Sequence, residues 1–88
     1  MEYYVYILSD YMNDHFYVVQ TNDLIRRIKQ HQQGFFLNGY SKRYNITKLV
    51  YFETEPNRLK ALTREALLKR WKRKSKYELI LKDDPRLN

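Results

Sequence analysis

Cysteine is absent from this 88-residue chain. Disulfide staples and thiolate metal sites are therefore excluded, and the absence fits a reducing cytoplasm, the expected location. Glycine and proline occur only twice each, which leaves no Pro/Gly-rich linker. Long apolar runs are missing too, and none approaches the ~18 residues of a membrane span. The N-terminal MEYYVYIL begins with an acid and runs straight into a strand pattern. It lacks the basic n-region and small-residue cleavage site of a signal peptide. No internal repeat is present. A single domain over residues 1–88 is expected, with one modest core, because a chain of this size buries roughly 60–68% of its unfolded surface.

Positive charge is what the chain does have. The formal net charge is +7, from 17 Lys+Arg against 10 Asp+Glu. Between Arg58 and Lys76 stand nine Lys/Arg and one acid, Glu65. A clustered basic surface on a small domain points first to nucleic acid, and the plainer alternative is a solvated helix face. Nine tyrosines and one tryptophan offer stacking surfaces or sheet packing.

The hydropathy pattern predicts the order ββαβαα. Tyr3 to Leu8 is aromatic and β-branched, a strand. Asp10 to Asp14 is turn chemistry, and His15 to Gln20 is a second strand, antiparallel to the first. Thr21-Asn22-Asp23 supplies capping side chains for a helix from Leu24 to about Gln33, which Gly34 ends. Phe35 to Asn45 is loop-like, with Asn38-Gly39 as a turn. Thr47 to Thr54 is the third strand. Pro56-Asn57 opens a second helix reaching about Lys74. Ser75-x-x-Glu78 has the form of a capping box, so a short last helix is expected to start there and to end at Asp83-Asp84-Pro85.

Several residues sit where packing alone does not call for them. Leu24, Ile28 and His31 share one face of the first helix, and Arg27 lies over His31 at its edge. An internal salt bridge and a hydrogen-bonded core histidine satisfy that pattern, and so does a reactive site. In the second helix Leu62, Ala66, Leu68 and Trp71 mark the apolar side, with Glu65 among them. A carboxylate there is costly unless paired or metal-bound. It can pair with Arg27 or hold a divalent cation, and Mg²⁺ tolerates one carboxylate because it keeps several waters. Alternation puts Tyr4, Tyr6 and Leu8 on one face of the first strand, and Tyr17 and Val19 on one face of the second. A suitable hairpin register sets Tyr6 and Tyr17 side by side.

Taken in order, these residues resemble the GIY-YIG endonucleases, in particular the small stand-alone bacterial domains. Tyr4-Val5-Tyr6 stands for GIY and Tyr17-Val18-Val19 for YIG. Thr21-Asn22-Asp23-Leu24, Arg26-Arg27-Ile28 and His31 resemble the TNDLxRRIxxH stretch. Gly39-Tyr40-Ser41-Lys42-Arg43-Tyr44-Asn45 resembles the basic GFTKKYN loop. Leu49-Val50-Tyr51 matches the third strand, and Arg64-Glu65, Leu68-Lys69 and Trp71 resemble the REKQLKKW helix. The ordered set covers nearly the whole chain.

The resemblance implies an α+β fold, a three-stranded antiparallel sheet flanked by helices. It implies metal-assisted hydrolysis of phosphodiester bonds in DNA, more than RNA, with one Mg²⁺ or Mn²⁺. By position, Glu65 holds the ion, and Tyr6 activates or orients the attacking water with Tyr17 beside it. Arg27 stabilises charge on the scissile phosphate, and His31 assists proton transfer or orientation. A phenol with pKa near 10 is a poor base at pH 7, so the role of Tyr6 depends on Arg, metal or water lowering that value. Lys42, Arg43, Lys69, Arg70, Lys72, Arg73, Lys74 and Lys76 grip backbone phosphates, with steep salt dependence and little sequence choice.

Both glycines of the family name are replaced. Tyr4 is a mild departure. Val19 adds an isopropyl group on the face that Tyr17 occupies, where glycine allows close approach, and is expected to narrow the space for phosphate or metal. The expected function is therefore a divalent-metal-dependent nuclease acting on DNA or on a branched or damaged nucleic acid. The alternatives are a catalytically weak or inactive nucleic-acid-binding module of the same fold, and a protein-interaction domain with a basic helix.

Overall fold

The computed structural model describes residues 2–35 and 38–83. Strand β1 (Tyr3–Ser9) lies in the middle of a three-stranded antiparallel sheet of order β2-β1-β3, with β2 (Phe16–Thr21) and β3 (Lys48–Glu55) outside it. Every residue from Val5 to Ser9 is buried, because helices cover both faces of β1. Its unbroken apolar run is what a strand covered on both faces requires. The expected strands are all present, with every end within one residue of its predicted position.

The two faces hold separate cores. Val5 and Ile7 join Phe16, Val18, Tyr51, Ala61, Leu68 and Ile80 on the side of α3 (Arg58–Arg70) and α4 (Arg73–Asp83). Tyr6 and Leu8 join Leu24 and Ile46 on the side of α1 (Leu24–Gln32), with Tyr4, Tyr17, Val19 and Ile28 packed around them. Tyr4 and Tyr6 of β1 thus face α1, while Tyr3 packs on the α3 side.

Helix α1 starts and stops as its sequence predicts. The Asp23 side chain accepts from Arg26 N at 3.2 Å. At the other end Gly34 takes φ +91°. Gly34 N donates to His31 O at 3.1 Å, and Phe35 N donates to Gln30 O at 2.9 Å. This pair of bonds is a Schellman turn, which favours glycine at its left-handed position.

Three expectations need correction. The segment from Phe35 to Asn45 is not all loop: α2 (Gly39–Arg43) forms inside it. Asn38 accepts from Ser41 N at 2.9 Å, and Ser41 Oγ accepts from Asn38 N at 3.2 Å, a capping box that the Asn-Gly pair obscured. The second long helix ends at Arg70 rather than Lys74, because Trp71 turns extended, with φ −66° and ψ 145°, and packs on the core beside Leu79. Ser75 therefore lies inside α4, not at its cap. The buried stripe of α3 is Ala61 and Leu68, while Leu62 and Ala66 are exposed. Spacing alone placed that stripe about a third of a turn too far round. The end predicted at Asp84-Pro85 lies outside the described residues.

Candidate active site

Tyr6 and His31 meet in the α1-side core. Tyr6 is 0% exposed and His31 1%. The phenolic oxygen lies 3.2 Å from His31 Nε2, and His31 Nδ1 lies 3.2 Å from the carbonyl oxygen of Phe35. A carbonyl only accepts, so Nδ1 carries the proton and Nε2 offers its lone pair. Tyr6 is then the donor to His31. The Schellman turn at Gly34 carries the Phe35 carbonyl back to the ring, so one glycine fixes the histidine tautomer.

Burial sets the chemistry of the pair. It pushes the Tyr6 phenol up to about 12, with Glu65 and Tyr17 adding to the rise and Arg27 opposing it. Burial also holds His31 below its usual value, reinforced by the Arg27 charge, against the hydrogen bond to Phe35. Of the groups on which a lowered Tyr6 pKa depends, Arg27 alone does not achieve it. Desolvation of the phenolate outweighs the one nearby cation. Burial thus keeps the proton on Tyr6 and leaves His31 as the neutral acceptor. The contact is a neutral hydrogen bond.

Tyr6 and Tyr17 share a face but not a rung. Tyr6 opposes Val19, and Tyr17 opposes Leu8, so the two phenols are diagonal neighbours across the hairpin rather than side by side. Tyr17 is half-buried and more open than Tyr6. Its oxygen accepts from Asn38 Nδ2 at 2.9 Å, which leaves its own proton to donate. Lys69 Nζ lies 6.0 Å from the Tyr17 ring centroid. Val19 fills the place directly across from Tyr6.

Glu65 and Arg27 approach the phenols from two helices, and both act on Tyr6. Arg27 Nη1 donates to Gln30 Oε1 at 3.4 Å. Among the described residues no ion pair joins Arg27 to Glu65. Glu65, with 17% of its side chain exposed, instead meets Lys69 at a loose 3.7 Å. Its neighbour Arg64 is engaged elsewhere: it forks onto Glu53 and lies 5.6 Å over the Trp71 ring. Glu65 is thus a shielded carboxylate with one weak partner. Among the described residues no group of three His, Cys, Asp or Glu side chains could hold a metal. Glu65 alone could serve only a cation that keeps most of its waters, not one caged by protein ligands.

The basic run is divided by the break at Trp71. Lys69 approaches Tyr17, while Arg70, Lys72 and Lys74 are exposed. Arg73 pairs with Asp14 at 3.7 Å, and Lys76 is half-buried. Lys42 and Arg43 lie on α2, where the Arg43 guanidinium sits 5.4 Å over the Tyr44 ring. The sequence reading missed Asn38 and Tyr40, which meet Tyr17, and His15 and Tyr44, which pack against Tyr40. His15 stacks on Tyr44 at 3.8 Å, and Tyr40 lies 6.3 Å from Tyr17 between ring centroids. The Asn38-x-x-Ser41 pattern was the available signal.

The GIY-YIG catalytic-domain model matches residues 2–78. The chain belongs to the GIY-YIG family. It is 39% identical over 77 residues to a UPF0213 protein of Clostridium perfringens, covering 88% of this chain and 81% of that one. The solution NMR structure of a UPF0213 protein from Bacillus halodurans superposes with a TM-score of 0.59 at 30% identity, covering 99% of this chain and 92% of that one. In this GIY-YIG domain the three-stranded sheet and flanking helices agree with the family fold. No helix among the described residues is long and apolar enough to cross a membrane.

Proposed function

We propose that this GIY-YIG domain is a divalent-metal-dependent endonuclease that hydrolyses phosphodiester bonds in DNA. The observation that carries the reading is the convergence on the Tyr6–His31 pair: Arg27, Glu65 and Tyr17 all act on one buried phenol. Hydrolysis joins a water oxygen to phosphorus, breaks the bond to the sugar oxygen, and moves a proton from the water to the leaving oxygen. Arg27 presents a planar fork suited to phosphate oxygens as their charge grows. Tyr17 supplies a hydroxyl proton at the more open end of the site, oriented by Asn38. His31 holds Tyr6 in place and offers the base toward which its proton can move once the local field changes. Glu65 would hold Mg²⁺ or Mn²⁺, and such an ion when bound supplies Lewis-acid polarisation of the phosphate. Lys42, Arg43, Lys69, Arg70, Lys72 and Lys74 supply the phosphate-neutralising surface, whereas Arg73 is paired with Asp14 and Lys76 is half-buried.

A second reading has its own observation. Tyr6 is fully buried, held at about 12, and faced by Val19 in place of the motif glycine. That combination favours a nucleic-acid-binding module with weak catalysis.

Nicking of supercoiled DNA in Mg²⁺ or Mn²⁺, run beside Glu65→Ala, separates the two. A nuclease cleaves as wild type and falls by about 10²–10³-fold in the variant. Salt-dependent binding by both proteins without cleavage establishes the binding module and overturns the nuclease.

A further inference from the structure

The outer edge of β2 carries a cavity that the chemistry above does not use. It measures about 130 Å³ and is lined by Asp14, His15, Phe16, Tyr40, Arg73 and Lys76. Tyr40 is 42% exposed, yet its ring is fixed on three sides. It meets His15 edge-on at 6.2 Å, Tyr44 at 5.1 Å and Tyr17 at 6.3 Å. An exposed aromatic held this firmly, beside the candidate catalytic tyrosine, has lost little entropy still to be lost on binding.

His15 is fixed as well. Its Nδ1 donates to Asp10 Oδ2 at 2.9 Å, and its ring stacks on Tyr44 at 3.8 Å and 15°. Asp10 is itself held by the backbone N–H groups of Asp14 at 2.8 Å and His15 at 3.2 Å. Lys76 is half-buried, and no ion pair joins it to a carboxylate among the described residues. Burial lowers its pKa, the mark of an ammonium short of compensation.

The balance of charge selects the ligand class. Arg73 and Lys76 are offset by Asp14 on the same wall and by Asp10 behind His15. A phosphate dianion gains little from such a lining. A neutral planar ring with donors and acceptors on its edge gains from all of it: the Tyr40 face for stacking, cationic donors in Lys76 and Arg73, and a carboxylate acceptor in Asp14.

We infer that this cavity accepts one unpaired nucleobase of the nucleic acid, stacked on Tyr40 next to Tyr17. The identity of the ligand rests on the nucleic-acid reading above. The consequence is a preference for strands with an unpaired nucleotide beside the scissile bond, because a paired base cannot leave its stack without the cost of unpairing.

The test is equilibrium binding in chelator, so that cleavage plays no part. The probes are a fully paired duplex, the same duplex with one bulged 2-aminopurine, and the same duplex with a bulged abasic site. Wild type is expected to bind the 2-aminopurine bulge more tightly than the other two and to quench its fluorescence. Tyr40→Leu keeps bulk but removes the flat face, and is expected to lose about five- to 150-fold of that affinity on the 2-aminopurine bulge alone. Tyr40→Phe restores it. Lys76→Met, which leaves the ring cluster intact, weakens the same probe selectively. Circular dichroism melts check that each variant is folded. Equal affinity for the abasic and 2-aminopurine bulges, or equal losses on all three probes, overturns the base pocket and leaves nucleic-acid binding standing. Failure of wild type to bind any probe removes the nucleic-acid reading and the pocket with it.

Discussion

Tyr6 on β1 donates its phenolic hydrogen to Nε2 of His31 on α1, 25 residues along the chain and 3.2 Å away. Both groups are buried, so neither has water as a substitute partner. The bond is part of the fold's stability before it is part of any reaction.

Removing one partner leaves the other orphaned. Tyr6→Phe strands the Nε2 lone pair, and His31→Leu strands the Tyr6 hydroxyl. Each change is expected to cost about 1–3 kcal/mol. The double variant is expected to cost less than the sum of the two, with a coupling of about 0.5–3 kcal/mol. Urea unfolding of the four proteins measures it, and strict additivity shows that the bond contributes nothing.

The same pair gives a pH dependence with a definite sign. Burial holds folded His31 below the usual 6.5, so the unfolded chain binds more protons in the window beneath that value. Stability rises with pH there. It is fully present above about 6.5 and is lost as pH falls toward the depressed folded value. Asp10 adds a separate loss at lower pH. Burial raises its carboxyl, but the combined hydrogen bonds from His15 and Asp14 hold it below 3.8. Thermal melts between pH 7 and 5 are expected to show a decline that His31→Gln abolishes. An identical decline in the variant assigns it elsewhere.

Gly34 holds φ +91°, and a Cβ there meets nothing within 4 Å. Gly34→Ala therefore costs conformational energy only, about 1–2 kcal/mol. The same change is expected to loosen the Phe35 carbonyl from Nδ1. Nitrogen-15 shifts of His31 report this as a change in tautomer population, and a stability loss with unchanged ring shifts separates the turn from the tautomer.

Val19 packs in the α1-side core and faces Tyr6 across the hairpin. Val19→Gly is expected to lower the melting temperature, because it removes packed methyl groups and adds unfolded-state freedom. It is also expected to raise cleavage in Mn²⁺ by opening the space beside Tyr6. Lost stability with no gain in rate shows that the valine is not the obstruction.

Much of the scaffold was legible from residue order. The runs Tyr3–Leu8, His15–Gln20 and Thr47–Thr54 each fell within one residue of a strand, and Asp23 and Gly34 marked the ends of α1. The α2 helix was hidden because Asn38-Gly39 serves a turn as readily as a cap. The break at Trp71 was hidden because a tryptophan at an apolar position signals burial and carries no stop signal of its own.

The sequence by itself determined which side chains share a face: Tyr6 with Leu8, Tyr17 with Val19, His31 with Leu24 and Ile28. Local periodicity encodes that and nothing about what lies opposite. The hairpin register, set by the whole sheet, made Tyr6 and Tyr17 diagonal and put Val19 across from Tyr6. Packing of α1 on β1 gave Tyr6 a histidine partner and removed it from water. Tertiary structure therefore decided the direction in which the phenol's pKa moves, because desolvation depends on everything that closes over the group rather than on its neighbours in the chain.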